Sequence, residues 1–140
     1  MVDLTDKVVL VTGASSGIGA AMARCFSREG AYVALTARSR EGLHRTSKTC
    51  PGPTLEIPGD LLRSADREKI VDRILERWNR IGVLVNNAGL GMYGSFLEVT
   101  EEIWRRVFEI NLFAAVEMTR SVLPVMLERD RGPIFSPARS

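Results

Sequence analysis

Glycines 13, 17 and 19 stand in the stretch T-G-A-S-S-G-I-G, directly after the apolar run Val8-Val9-Leu10-Val11. Residues of these types at this spacing suit the binding of a phosphorylated ligand. Glycines allow a tight turn, close approach of backbone to an anion, and close packing of whatever follows. A helix that starts there aims its first N–H groups and the positive end of its dipole at the turn, which makes a diphosphate site. The run before the turn is continuous rather than alternating, as expected of a strand buried on both faces. Behind the turn, Ile18, Met22, Cys25 and Phe26 recur at helical spacing. Strand, glycine turn and helix in succession are the context a dinucleotide-binding turn requires. Three residues separate the first two glycines, unlike G-x-G-x-x-G, and the Gly-Lys-Ser/Thr ending of a P-loop is missing.

Further along, four short stretches carry groups that could serve such a ligand. Dinucleotide folds place an acid about 20 residues beyond the glycine turn for a ribose 2′-hydroxyl, or an arginine for a 2′-phosphate. Here that place reads Thr36-Ala37-Arg38-Ser39. A guanidinium pairs with a phosphate bidentately where a carboxylate would repel it, so Arg38 favours NADP(H) over NAD(H); the alternative is a solvated loop charge. Asp60-Leu61 follows a third strand signal, at the carboxyl edge where open α/β sheets bind ligands; taken alone, Asp60 is a loop acid. Asn86-Asn87-Ala88-Gly89 offers amides that can lock one loop to another and small residues that admit a cofactor, or else a short polar turn. Asn111 lies within Ile110-Asn111-Leu112-Phe113, where a buried amide must be hydrogen-bonded; a satisfied core or interface amide is the plain alternative.

Alternating strand and helix signals position these groups, and they specify an α/β fold: a doubly wound parallel sheet of about five strands. The first helix ends near Gly30, and a strand follows over 32–36. Ser39 can cap a short helix in the polar segment 38–48, although Gly42 weakens it. After Pro51-Gly52-Pro53, a third strand over 54–57 stops at Pro58-Gly59. Ser64 can cap a helix whose Ile70, Val71, Ile74, Leu75 and Trp78 form an apolar stripe. A fourth strand spans 83–86, and Thr100 can cap a helix opening on Glu101 and Glu102, acids suited to its dipole. A longer helical pattern covers 106–129 with a kink expected at Pro124, after which Gly132 releases the chain to Ile134-Phe135.

Composition bounds the rest. The 140 residues, 45% hydrophobic and 26% charged, suit one soluble domain with a real core, so 1–140 reads as a single incomplete dinucleotide-binding domain. A net charge of +2 argues against nucleic acid or an anionic membrane as the main partner. No uninterrupted apolar run approaches the ~18 residues of a membrane span, and Asp3, Asp6 and Lys7 do not fit a signal peptide. Cys25 and Cys50 make neither a C-x-x-C motif nor a disulfide framework, and with His44 alone no metal site or histidine-based triad is expected. The expected compartment is the reducing cytoplasm.

The T-G-x-x-x-G-x-G turn, with N-N-A-G about seventy residues later, resembles the single-domain branch of the short-chain dehydrogenase/reductase family. The resemblance extends to about Ile134 and departs at Gly82, where the family often has aspartate. It implies a Rossmann-like fold and hydride transfer between a nicotinamide coenzyme and a small carbonyl or alcohol substrate. It also implies coenzyme contacts from Gly13, Ser15, Ser16, Gly17, Ile18 and Gly19, and from Asp60 and Leu61 at the adenine. Asn87, Ala88 and Gly89 are implied beside the cofactor, and Asn111 in a proton relay with the active-site lysine through water.

The family's tyrosine with a lysine four residues later is missing: the tyrosines are Tyr32 and Tyr93, and the last lysine is Lys69. Its serine falls in register with Arg139, between Ser136 and Ser140, where Pro137 cannot continue a strand ladder. At little more than half the family's usual length, the chain is expected to be a C-terminally truncated form. Two readings follow: the coenzyme-binding part of an NADP(H)-dependent oxidoreductase, or a non-catalytic module that binds a nucleotide or docks a partner. An exposed fifth strand and an under-packed helix 106–129 lead to an expectation of marginal stability and self-association, with a homo-oligomer built through that helix.

Overall fold

Strand β1, Val8–Thr12, is buried along its whole length, as its unbroken apolar run requires. The computed structural model describes residues 3–129 and 134–135. After β1 come α1 (Gly17–Arg28), β2 (Tyr32–Ala37), α2 (Arg40–Lys48), β3 (Thr54–Pro58), α3 (Ser64–Trp78) and β4 (Val83–Val85). Helix α4 (Glu101–Phe108), a π-helical turn (Glu109–Phe113) and α5 (Ala114–Arg129) then run on as one helix, and Ile134–Phe135 forms β5.

The five strands pair in the order β3-β2-β1-β4-β5, all parallel. The chain winds outward from β1 to β3, then crosses back to lay β4 on the other side of β1. Successive side chains of a strand point to opposite faces, and β1 divides accordingly. Val8 and Leu10 join Ile70 and Ile74 of α3 and Met118, Val122 and Met126 of α5 on one face. Val9 and Val11 join Ala23 of α1 and Leu43 of α2 on the other. The α/β doubly wound sheet expected from the sequence is therefore present, with a carboxyl edge split between β1 and β4.

Several local expectations are met. Ser39 accepts from Gly42 N–H at 3.0 Å, Thr100 caps α4 through Ile103 N–H at 3.4 Å, and Gly30 follows α1 with φ +87°. Others change. In α1 the fully buried face is Gly19, Ala20, Ala23 and Ser27, while Ile18 and Cys25 are exposed. Met22 and Phe26 only flank the core; the small residues of the buried face let the helix lie close on the sheet. Ser64 does not cap α3: Arg63 holds the N-cap position without a side-chain bond. Helix α5 continues through Pro124 to Arg129, and the irregular turn of the long helix lies at Glu109–Phe113 instead.

That helix, Glu101–Arg129, spans 29 residues and is long and apolar enough, by length and composition, to cross a membrane. Scattered polar residues interrupt it, so no single apolar run within it approaches that length. In the fold its Ala114, Met118, Val122 and Met126 stripe packs on the sheet, leaving Phe108, Leu112, Phe113, Val116, Leu123 and Leu127 exposed. Gly132 and residues 136–140, on which the register of Ser136, Pro137, Arg139 and Ser140 depends, lie outside the described residues.

Candidate functional site

A cavity of about 770 Å³ opens at the carboxyl edge of the sheet, above the split between β1 and β4. This is the topological switch point at which doubly wound sheets bind ligands. The turn after β1 supplies Gly13, Ser15, Ser16, Gly17 and Ile18 to its wall, and the end of β2 supplies Arg38 and Ser39. The end of β3 adds Asp60 and Leu61, and the segment after β4 adds Asn87, Ala88 and Gly89. Eleven of the thirteen expected site residues thus meet around one space. Gly19 and Asn111 do not line it.

Gly19 acts from behind. A Cβ there would collide with the carbonyl of Gly13 and the side-chain amide of Asn87, so only glycine lets α1 begin this close to the turn. Gly13 takes φ +65° with its missing Cβ directed at the Ala88 backbone, 2.8 Å from Cα. Gly17, at φ +54°, meets nothing within 4 Å; there the glycine serves conformation alone.

Helix α1 starts without a side-chain cap: Ser16 is the N-cap residue, its hydroxyl accepts no helix N–H, and the first turn carries no acid. By contrast α2 and α4 have both a cap and acids. The positive end of the α1 dipole and its first N–H groups are left to an external anion. The residues present therefore fit a pyrophosphate at this turn. Ile18 stands 68% exposed at the same end, an apolar side chain directed away from the core.

Asn87 ties the two loops together. Its Nδ2 donates to the carbonyls of Thr12 and Gly13 at 3.1 and 3.3 Å, and its N–H donates to Thr12 Oγ1 at 3.0 Å. Thr12 Oγ1 also accepts from Ala88 N–H and donates to the Val85 carbonyl. Asn111, in the π-helical turn, grips the next segment: Oδ1 accepts from Leu90 N–H at 2.7 Å and Nδ2 donates to the Leu90 carbonyl at 2.9 Å. It is a satisfied amide that holds the β4 loop.

Sequence reasoning missed Thr12, Thr46 and Gly42 as supports. Thr46 Oγ1 donates to the Ala14 carbonyl at 2.8 Å, fastening α2 to the glycine turn. Gly42, unfavourable for a helix in itself, is required in α2, because a Cβ there would come 2.7 Å from Ser15 Cβ. Neither threonine stands out in the chain: Thr12 ends the apolar run of β1, and Thr46 lies between Arg45 and Ser47. Tyr93, a further wall residue, is 96% exposed and has no lysine four positions on.

Comparison with known proteins decides the family, for residues 7–136 match the one described as short chain dehydrogenase. The chain belongs to the short-chain dehydrogenase family. "Dehydrogenase/reductase SDR family member 4" of Rattus norvegicus is 36% identical to this short-chain dehydrogenase chain over 135 residues, 94% of the chain and 48% of that protein. The chain therefore spans about half the length of the curated relatives it matches. A metagenomic short-chain oxidoreductase solved in complex with NADP superposes with a TM-score of 0.87 at 36% identity, over 95% of this chain and 62% of that one. A short-chain dehydrogenase/reductase from Burkholderia phymatum, in complex with NAD, gives 0.86 at 29% identity, over 92% of this chain and 47% of that one. Relatives of this short-chain dehydrogenase chain thus hold either coenzyme in the same fold.

Proposed function

We propose that this chain is the coenzyme-binding part of an NADP(H)-dependent oxidoreductase acting on a small carbonyl or alcohol compound. The carrying observation is that Arg38 and Ser39 line the same cavity as the uncapped start of α1. Bound there, the coenzyme's nicotinamide would supply or take up a hydride. The chain's own residues bind and orient. The Gly13–Gly19 turn receives the pyrophosphate, and Arg38 neutralises a 2′-phosphate through a charge-assisted pair. Asp60 and Leu61 receive the adenine. Asn87 and Asn111 hold the β4 loop so that Ala88 and Gly89 can approach the ligand closely.

A second reading, binding without turnover, is favoured by one feature of the 140 residues: neither Tyr32 nor Tyr93 has a lysine four positions on. The exposed apolar face of Glu101–Arg129 supports a homo-oligomer under either reading. Titration with NADPH, followed by fluorescence, tests binding, and loss of NADPH absorbance with a panel of carbonyl compounds tests turnover. Arg38→Asp should weaken NADPH about tenfold or more relative to NADH, because a charge-assisted pair is replaced by repulsion. An equal effect on both coenzymes removes the NADP(H) assignment.

A further inference from the structure

At the start of α3, residues 64, 65, 68 and 69 are exposed, whereas Asp66 and Arg67 between them are half-buried. Polar groups turned inward are costly unless they are bonded, and both of these are bonded to one short segment. Asp66 Oδ2 accepts from Asp60 N–H at 2.8 Å, and Arg67 Nη1 donates to the Leu61 carbonyl at 2.6 Å. The segment also closes on itself, with Leu62 N–H on Asp60 Oδ1 and Arg63 N–H on the Asp60 carbonyl, both at 3.0 Å. The peptide groups on either side of Asp60-Leu61 are thus held by two adjacent side chains of a rigid helix. Asp60 Oδ2 has no protein donor among the described residues, and both Asp60 and Leu61 face the cavity.

We infer that Asp66 and Arg67 are positioning residues for the purine end of the coenzyme, an inference that rests on the coenzyme reading above. They hold Asp60 so that its remaining carboxylate oxygen accepts from the exocyclic amine of a 6-aminopurine. A 6-oxopurine presents an acceptor at that place and is rejected. The pair therefore governs affinity for the half of the coenzyme that NADPH and NADH share, unlike Arg38.

The test measures the affinities of the 140-residue chain for NADPH, NADH and the hypoxanthine analogue of NADPH in Asp66→Ala, Asp66→Asn and Arg67→Met. Asp66→Ala should weaken NADPH and NADH by the same factor, about tenfold for the loss of a charge-assisted bond, and narrow the preference for adenine over hypoxanthine. Asp66→Asn keeps an acceptor oxygen and should restore both, whereas Arg67→Met should shift affinity and base preference the same way by less. A variant that melts earlier yet keeps its affinities and base preference overturns the proposal, as does a loss confined to NADPH. If the unaltered chain binds no adenine nucleotide, the coenzyme reading itself fails. Amide exchange in the ligand-free chain judges the positioning separately: Asp60 N–H should exchange faster in Asp66→Ala, and unchanged exchange defeats the idea.

Discussion

Thr12 and Asn87, 75 residues apart, are joined by two hydrogen bonds, both donated by Asn87: N–H to Oγ1 at 3.0 Å and Nδ2 to the carbonyl at 3.1 Å. The Thr12 hydroxyl also accepts from Ala88 and donates to Val85, which exhausts a group with one proton and two lone pairs. Thr12→Val preserves shape but strips the Ala88 amide of its acceptor and leaves Asn87 N–H only the Val85 carbonyl, 3.0 Å away. At about 1–3 kcal/mol for a donor left bare, the urea midpoint should fall with the m-value unchanged. Thr12→Ser should retain most of the stability. Equal midpoints for valine and serine would show that the hydroxyl is not what holds the two loops.

Gly17 and Gly19 should respond differently to alanine. At Gly17 the cost is conformational only, about 1–2 kcal/mol for a left-handed residue, because a Cβ meets nothing. At Gly19 it strikes the Gly13 backbone, so the turn must move. Gly19→Ala is expected to lower the melting temperature further than Gly17→Ala and to abolish coenzyme binding. Calorimetric melting and NADPH titration of the two variants make the comparison.

Asn111→Leu removes both bonds to Leu90 while leaving the helix intact. The Leu90 amide should then exchange faster with solvent, and limited proteolysis should cut within 88–95 sooner. Asn111→Asp should be intermediate, since a carboxylate accepts from Leu90 N–H but cannot donate to its carbonyl. Unaltered Leu90 exchange in the leucine variant would assign the rigidity of this loop to other contacts.

Burial pushes the Cys50 thiol above its ordinary pKa, against smaller opposing effects from Arg24 and Ser27. A raised pKa leaves less thiolate at a given pH, and the thiolate is the reactive form. Alkylation near pH 8 should therefore modify exposed Cys25 first. The Cys50 rate should still be climbing above pH 9, and mass spectrometry over a pH series reads both sites. Equal rates throughout would place Cys50 in a more open setting than its packing beside α1 and α2 provides.

The exposed stripe of α5 leads to an expectation for assembly. Val116 and Leu127 are both exposed apolar residues on the long helix, so Val116→Lys with Leu127→Lys should leave the core intact. Sedimentation at increasing concentration should show the unaltered chain associating and the double variant remaining monomeric. Association undiminished in the variant would move the contact to another surface, such as the edge strand Ile134–Phe135.

The local signals that were legible share a cause. Continuous β-branched runs mark strands buried on both faces, and β1 and β4 appear where that rule puts them. Ser39 and Thr100 cap because an oxygen three residues ahead of an N–H is a local geometry. Position 64 misled for the complementary reason. The side chain that matters at the start of α3 is Asp66, and it bonds to the β3 loop, not to its own helix end.

Spacing and residue type were sufficient for the alternating α/β plan, the glycine turn and the set of loops that meet at the sheet's carboxyl edge, since each depends on neighbours in the chain. Packing between distant segments decided which face of α1 is buried, why glycine is needed at positions 19 and 42, and what Thr12, Asn87 and Asn111 hold. Those outcomes depend on distances between residues tens of positions apart. A steric limit or hydrogen bond of that kind leaves no periodicity in the chain, and exists only once the sheet has brought its partners together.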